Sequence, residues 1–417
     1  MDDETVEETT PVKAAAQPAE EQDGISGWKV TLYVVWIAQL FSMLGFSFVF
    51  PFVPFYIRSL GVIDPKALRL WSGLIDSSSG LVMAVMAPIW GWMADRYGRK
   101  PMVQRAMLGG GAAVGAMGLV HNVQQLMGLR MLQGAISGTV SASVAMVSSV
   151  VPKAELGFSL GLMQMAVFAG SSFGPLVGGK AAEHLGYRAP FAVAGGLLFI
   201  SGLMVLFWSK ERFVRPAAGE GGRRESLMDL LRQPGVSSLL LVFCLLNLSG
   251  SFVGPIFPLY VEQVSGDVKT AASATGLMMA VSGVMAALAA IVMGKLSDRV
   301  GRKKVLVGCV ALAGLVCIPQ AMVRSVGQLL VLRACSGIAA GGMSPSLNAL
   351  VAETVPREHL GRAYGLTVTA AAIGWSVGPA LGGWAASMIG LRPPFVIMGG
   401  LMLMMSVIVW RVFRKMA

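Results

Sequence analysis

The sequence predicts an all-α membrane protein of twelve transmembrane helices, arranged as two parallel six-helix repeats. Three observations carry that reading. Apolar runs of about 20 residues, long enough to cross a bilayer core, recur along almost the whole chain. Of its 417 residues 55% are hydrophobic and only 13% are charged, whereas a soluble protein of this length needs charge to cover its surface. Finally, a set of motifs returns once, 203 or 204 residues further on, the mark of an internal repeat.

Residues 1–27 are acidic and rich in Thr, Ala, Pro and Glu. Such a stretch cannot bury enough apolar surface to fold, so a disordered cytoplasmic tail is expected. It has no basic region followed by an apolar one and is not a signal peptide. A first six-helix bundle over 28–208 holds spans at about 28–57, 70–93, 101–120, 124–149, 157–182 and 188–208. The segment 209–235 is polar, Gly-rich and carries six basic residues, and it reads as a cytoplasmic linker. A second bundle over 236–413 holds spans at about 236–262, 271–294, 304–323, 327–352, 360–386 and 392–413.

The net charge of +11 does not point to nucleic acid, because the basic residues fall in short loops between apolar spans. Of the 33 Lys and Arg, 23 lie in the tail, the even-numbered loops, the linker and the C-terminus. Eight lie on the other side, and Arg130 and Arg333 sit inside spans. By the positive-inside rule both termini are cytoplasmic, in a multi-pass inner-membrane protein. The four cysteines lie in apolar segments and read as packing residues. No metal-ligand spacing, phosphate-binding Gly-rich loop or nucleophile motif is present, so no metal, cofactor, ATP-driven pump or enzyme is expected.

The repeat is detailed. Gly91-Trp-Met-Ala-Asp95-Arg96-Tyr-Gly98-Arg99-Lys100 returns as Gly294-Lys-Leu-Ser-Asp298-Arg299-Val-Gly301-Arg302-Lys303, and Arg130 returns as Arg333. The run Gly170-x-x-x-Gly174-Pro175-x-x-Gly178-Gly179 returns as Gly374-x-x-x-Gly378-Pro379-x-x-Gly382-Gly383. Pro51 and Pro54 map to Pro255 and Pro258, and Val151-Pro152 to Val355-Pro356. Six helices separate each pair, so the halves share one orientation, and a shared site belongs between them near the midplane.

The loop motif after span 2 resembles the signature of the major facilitator superfamily. The span-5 run resembles the antiporter motif of its twelve-helix drug/proton antiporter family, and Arg130 with Gln133 and Gly134 is similar to that family's span-4 motif. The resemblance covers about residues 28–413. It implies the major facilitator fold and proton-driven export of small amphipathic compounds by alternating access. An exporter of one metabolite or siderophore is the alternative; a channel is disfavoured by the parallel repeats. The expected partners are a small-molecule substrate, protons and lipid, with a monomer as the working unit.

Each motif also has a physical reading. Gly91 and Gly98 permit close approach and a tight turn; Asp95 can accept from N–H groups at a helix start; Arg96, Arg99 and Lys100 hold the loop in the cytoplasm. The resemblance makes this loop and its copy a latch between halves in the outward-facing state. Arg130, about six residues into span 4, costs some 2.5 kcal/mol or more unless paired or hydrated, and the resemblance gives it a part in proton coupling. Arg333 is either a second such residue or a structural one bonded to neighbouring carbonyls. Glu155, Glu183, Glu262, Glu353 and Glu358 lie at span ends and read as solvated acids. Asp76 is the carboxylate placed inside a span, about one and a half turns from its outer end. It is either a protonation site or a polar residue of a watery vestibule with Ser77, Ser78 and Ser79. In span 5, small residues four apart allow close packing and Pro175 bends the helix. The resemblance adds a leak-tight hinge to that packing. Trp36, Gln39 and Phe46 in span 1 and Asn247 and Phe252 in span 7 are the expected substrate surface, with methionines as adaptable lining.

Overall fold

A computed structural model describes residues 27–211, 235–355 and 360–414. The expected tail, except Gly27, and the linker between 212 and 234 lie outside them, as does Glu358. Among the described residues ten helices are long and apolar enough to cross a membrane. Span 3 is cut into Arg99–Gln104, a π-helical turn Arg105–Gly109 and Gly110–Met117, and span 11 is the 30-residue helix Leu360–Ile389. The set is the twelve helices expected.

Spans 2 and 8 outgrow their apolar runs at both ends, over Pro65–Tyr97 and Val268–Val300. Asp64 and Asp267 explain the starts: each carboxylate caps the helix by accepting from the N–H of Ala67 or Lys269. The stops are Gly98 and Gly301, at φ 97° and 99°, where a side chain would be strained. The signature motif is therefore not the loop expected. Gly91–Tyr97 form the last turns of span 2, and Arg99 already begins span 3.

Spans 1 and 7 do not end at their prolines. Trp28–Phe48 passes through a tight turn, Phe50–Phe52, into Val53–Ser59, and Val236–Phe252 does so through Gly254–Ile256 into Phe257–Ser265. Proline removes a backbone donor at a bend and then starts the next helix well. The halves differ in span 4, which breaks at Ser137–Gly138 between Val123–Ile136 and Thr139–Val150; its copy, span 10, is continuous over Val326–Thr354.

The repeat also shows in the core. Tyr56 donates to the Met117 carbonyl at 2.7 Å and its counterpart Tyr260 to Gln320 at 2.5 Å. Their rings pack on Phe191 and Phe395, with centroids 4.8 and 4.6 Å apart. Each lock satisfies a buried hydroxyl within its own half, tying spans 1, 3 and 6 together, or 7, 9 and 12. One apolar cluster then draws residues from both halves, from Phe48 and Phe55 to Phe252 and Phe257.

Candidate functional site: the interface between the halves

The span-5 motif has two faces. Gly170, Gly174 and Gly178, four apart, lie against span 1 at Met43, Ser47 and Phe48, so tightly that a Cβ would collide at each. Ser47 donates to the Gly170 carbonyl at 2.8 Å across the same seam. Pro175 and Gly179 turn instead to the other half. The Pro175 carbonyl meets Gly276 of span 8, and Gly179 meets Ala272. The copy repeats this plan: Gly374, Gly378 and Gly382 lie on span 7, while Pro379 and Gly383 meet Gly73 of span 2. The motif thus clamps span 5 within its half and seals span 5 on span 8, with span 11 sealed on span 2 by the same device.

Polar contacts between halves crowd at one end. Arg58 makes a two-pronged ion pair with Glu262, both bonds 2.7 Å. Ser273 donates to Glu183, Arg69 to the Ala386 carbonyl at 3.1 Å, and the N–H of Ala380 to Ser77 at 2.7 Å. Asp267, beside this group, accepts from the Lys269 N–H and the Thr270 hydroxyl, which hold its carboxyl below the usual range. In the neighbouring turn burial pushes the Tyr187 phenol up. Glu183, Glu262 and, at the opposite end, Glu353, which bonds Arg302 at 2.9 Å, are thus engaged side chains; Glu183 and Glu353 are also exposed, as expected of acids at span ends, while Glu262 is half-buried.

The seal runs inward as far as Gly80 on Ser376 and Gly283 on Ser172. Beyond that level Gly91, Gly157, Gly161, Gly294 and Gly365 face open space. Among the described residues the hydrogen bonds, ion pair and tight glycine contacts between the halves all lie from that level towards Arg58 and Glu262, so the molecule is closed at that end and open at the end that carries the signature motifs.

Asp76 and Arg130 meet between the two ends. The guanidinium lies 3.2 Å from the carboxylate and donates to Gln133 at 3.2 Å. The two side chains are 14% and 10% exposed, so each neutralises a charge the other could not bury alone. Because span 2 starts at Pro65, Asp76 lies eleven residues in, about 16 Å along the axis. That is nearer the helix midpoint than its end, and deeper than the apolar run indicated. Gly134 admits the contact by pressing on the Ser79 backbone, as Gly337 presses on Ser282 in the second half. There, however, Met279 stands at the Asp76 position. Arg333 lies with its guanidinium 4.2 Å from the Phe257 ring centre. Among the described residues it has neither a carboxylate nor a carbonyl partner.

Of the five expected substrate-surface residues, only some reach open space. Gln39 is fully buried, with both amide atoms unpartnered among the described residues, and Phe252 belongs to the core. Trp36 and Phe46 are half-buried, Phe46 lying against Gly110 of span 3. Asn247 is half-buried and accepts at 2.8 Å from the indole N–H of Trp375, a residue that is 56% exposed. Aromatic richness does not specify which face of a helix is turned from its neighbours, since rotation about a helix axis is set by those neighbours. Trp375, on span 11, was not singled out by the sequence.

At the open end Glu211 also escaped the sequence reading. Its carboxylate accepts from the N–H groups of Arg99 and Lys100 at 2.7–3.1 Å, capping the start of span 3. The Lys100 ammonium binds the carbonyls of Leu206 and Ser209. Asp95, given the capping role by sequence, has no hydrogen bond among the described residues; Asp298 stands 3.9 Å from Arg302. Arg105 lies in the π-helical turn of span 3, stacked with its guanidinium 3.6 Å from the centre of the Trp90 ring and bonded to the Ser137 carbonyl.

The chain is similar to curated relatives over nearly their whole length. It is 33% identical over 389 residues to the multidrug resistance protein MdtG of Salmonella typhimurium and to that of Citrobacter koseri, covering 93% of this chain and 96% of each relative. Among solved structures it is similar to a bacterial homologue of the human lysosomal transporter Spinster. That likeness has TM-score 0.78 and 14% identity and covers 92% of this chain and 96% of that one. The human organic anion transporter MFSD10 gives TM-score 0.66 at 18% identity, covering 94% and 100%. The description of the Major Facilitator Superfamily matches residues 35–267 and again 239–416. With two half-chain matches to one family and the twelve helices in their repeat, the chain belongs to the Major Facilitator Superfamily.

Proposed function

We propose that this transporter exports small amphipathic compounds, several drugs among them, in exchange for protons. The observation that carries the reading is the Asp76–Arg130 pair, an acid and a cation held in contact within the membrane-spanning part of one half. The relatives' naming as multidrug resistance proteins supports the substrate class. The bundles 28–208 and 236–413 rock against one another, joined by the 209–235 linker and preceded by the 1–27 tail. Both termini and the linker face the cytoplasm, in keeping with the basic loops, so the state described is inward-facing. The working unit is a monomer.

In this scheme a proton arriving on Asp76 removes the charge that Arg130 balances, and substrate and proton then compete for one conformational cycle. The latch residues Gly91, Asp95, Arg96, Gly98, Arg99 and Lys100, with Gly294, Asp298, Arg299, Gly301 and Arg302, engage when the open end closes. The Gly170–Gly179 motif keeps the closed end tight against leak. Asn247 and Trp375 contact substrate from the open side, and Trp36, Gln39, Phe46 and Phe252 line the path in other states. The test is uptake of a fluorescent amphiphile into everted vesicles carrying the chain. Saturable uptake that collapses with the proton gradient is expected. Uptake indifferent to the gradient, or non-saturable, overturns proton-driven carriage.

A further inference from the structure

Arg58 and Glu262 occupy the same place in the two repeats, 204 residues apart, and they touch each other. A residue can meet its own repeat counterpart only close to the axis that relates the halves. At such a place like charges would repel, whereas this chain has opposite ones. Two parallel bonds of 2.7 Å join the guanidinium to the carboxylate, the strongest geometry available to such a pair. The side chains are 34% and 18% exposed, and an outer cavity of about 350 Å³ opens beside them, lined also by Arg69 and Gln263. The other polar contacts between halves at this end each include an uncharged partner. Among the described residues this is the one ion pair that spans the halves.

We propose that Arg58 and Glu262 are positioning residues of the transport cycle: a clasp on the pseudo-two-fold axis that favours the state closed at this end and must part before the cavity opens there. The proposal rests on the rocking of the halves inferred above. Neither residue needs to touch substrate. A specific consequence follows from the repeat: because the two sites are equivalent, exchanging the charges rebuilds the same clasp in mirror order.

The test uses the full chain in lipid nanodiscs, native cysteines replaced by alanine, with spin labels on Ile63→Cys and Lys269→Cys, exposed positions of opposite halves at the closed end. Arg58→Gln and Glu262→Gln should each raise the long-distance population roughly fivefold, the size expected of a partly exposed pair. The double variant Arg58→Glu/Glu262→Arg should restore the original distribution. Unchanged distributions in both single variants overturn the clasp, and so does a double variant as open as the singles. If one single variant fails to fold, the other and the exchange still decide. A parent chain showing one distance at every pH and substrate concentration overturns the rocking itself, a different failure from loss of the clasp alone.

Discussion

Asp76 and Arg130 are placed where either charge alone would be costly, and their mutual distance decides what each can do. Losing one partner of a largely buried pair leaves an uncompensated charge, at about 3 kcal/mol. Asp76→Asn is therefore expected to lower thermal stability measurably and to stop proton-driven efflux while substrate binding survives. Substrate-induced proton release from purified protein checks this; release equal to that of the unmodified chain would place the exchanged proton elsewhere. Arg130→Lys should recover little of the transport lost in Arg130→Ala, about a tenth or less. The guanidinium serves Asp76 and Gln133 at once, and a single ammonium lacks that fork of donors. Equal transport by the lysine variant would reduce the role to charge alone.

At the scale of one helix, span 5 shows how small residues do two jobs on two faces. Gly178 sits against the Phe48 carbonyl and Gly196 in span 6 has nothing nearby, so the same substitution should act in opposite directions. Gly178→Ala is expected to cost about 2–3 kcal/mol by overpacking, and Gly196→Ala to stabilise by about 0.5–1 kcal/mol through helix propensity. Melting temperatures in detergent separate the two. Glu211 is a second case, a residue beyond span 6 that caps span 3. Glu211→Ala should cost about 1 kcal/mol, the worth of a lost cap, with Glu211→Gln between the two because an acceptor remains. No difference among the three in melting would show that the cap contributes nothing.

For the whole molecule the informative contrast is between the closed end, dense with contacts between halves, and the open end, where the signature motifs face space. Asp95 has no hydrogen bond among the described residues in this state. Asp95→Asn should therefore leave stability within about 0.5 kcal/mol, as an exposed surface change does, yet reduce transport severalfold by weakening the state in which the latch engages. Export rate at matched protein level checks this, together with the melting temperature. Near-normal export would sink the latch reading, and a large loss of stability would assign Asp95 a structural part in the state described.

The amino-acid sequence by itself determined the twelve spans and their repeat, with Pro51 and Pro255 at matching places in it. It also marked Arg130 and Asp76 as residues needing partners. These are consequences of local hydropathy, backbone chemistry and self-similarity, all legible along one chain. Which face each helix turns to its neighbours was decided only in three dimensions. That is why Gln39 and Phe252 proved buried, why Glu262 and Glu353 proved paired, and why Glu211 took the cap expected of Asp95. The opposite charges at 58 and 262 were in the repeat all along, but pairing them required knowing that the axis between the halves passes there. Contacts between residues some 200 apart depend on helix rotation and on which end of the molecule is closed, and neither is written in the period of a single span.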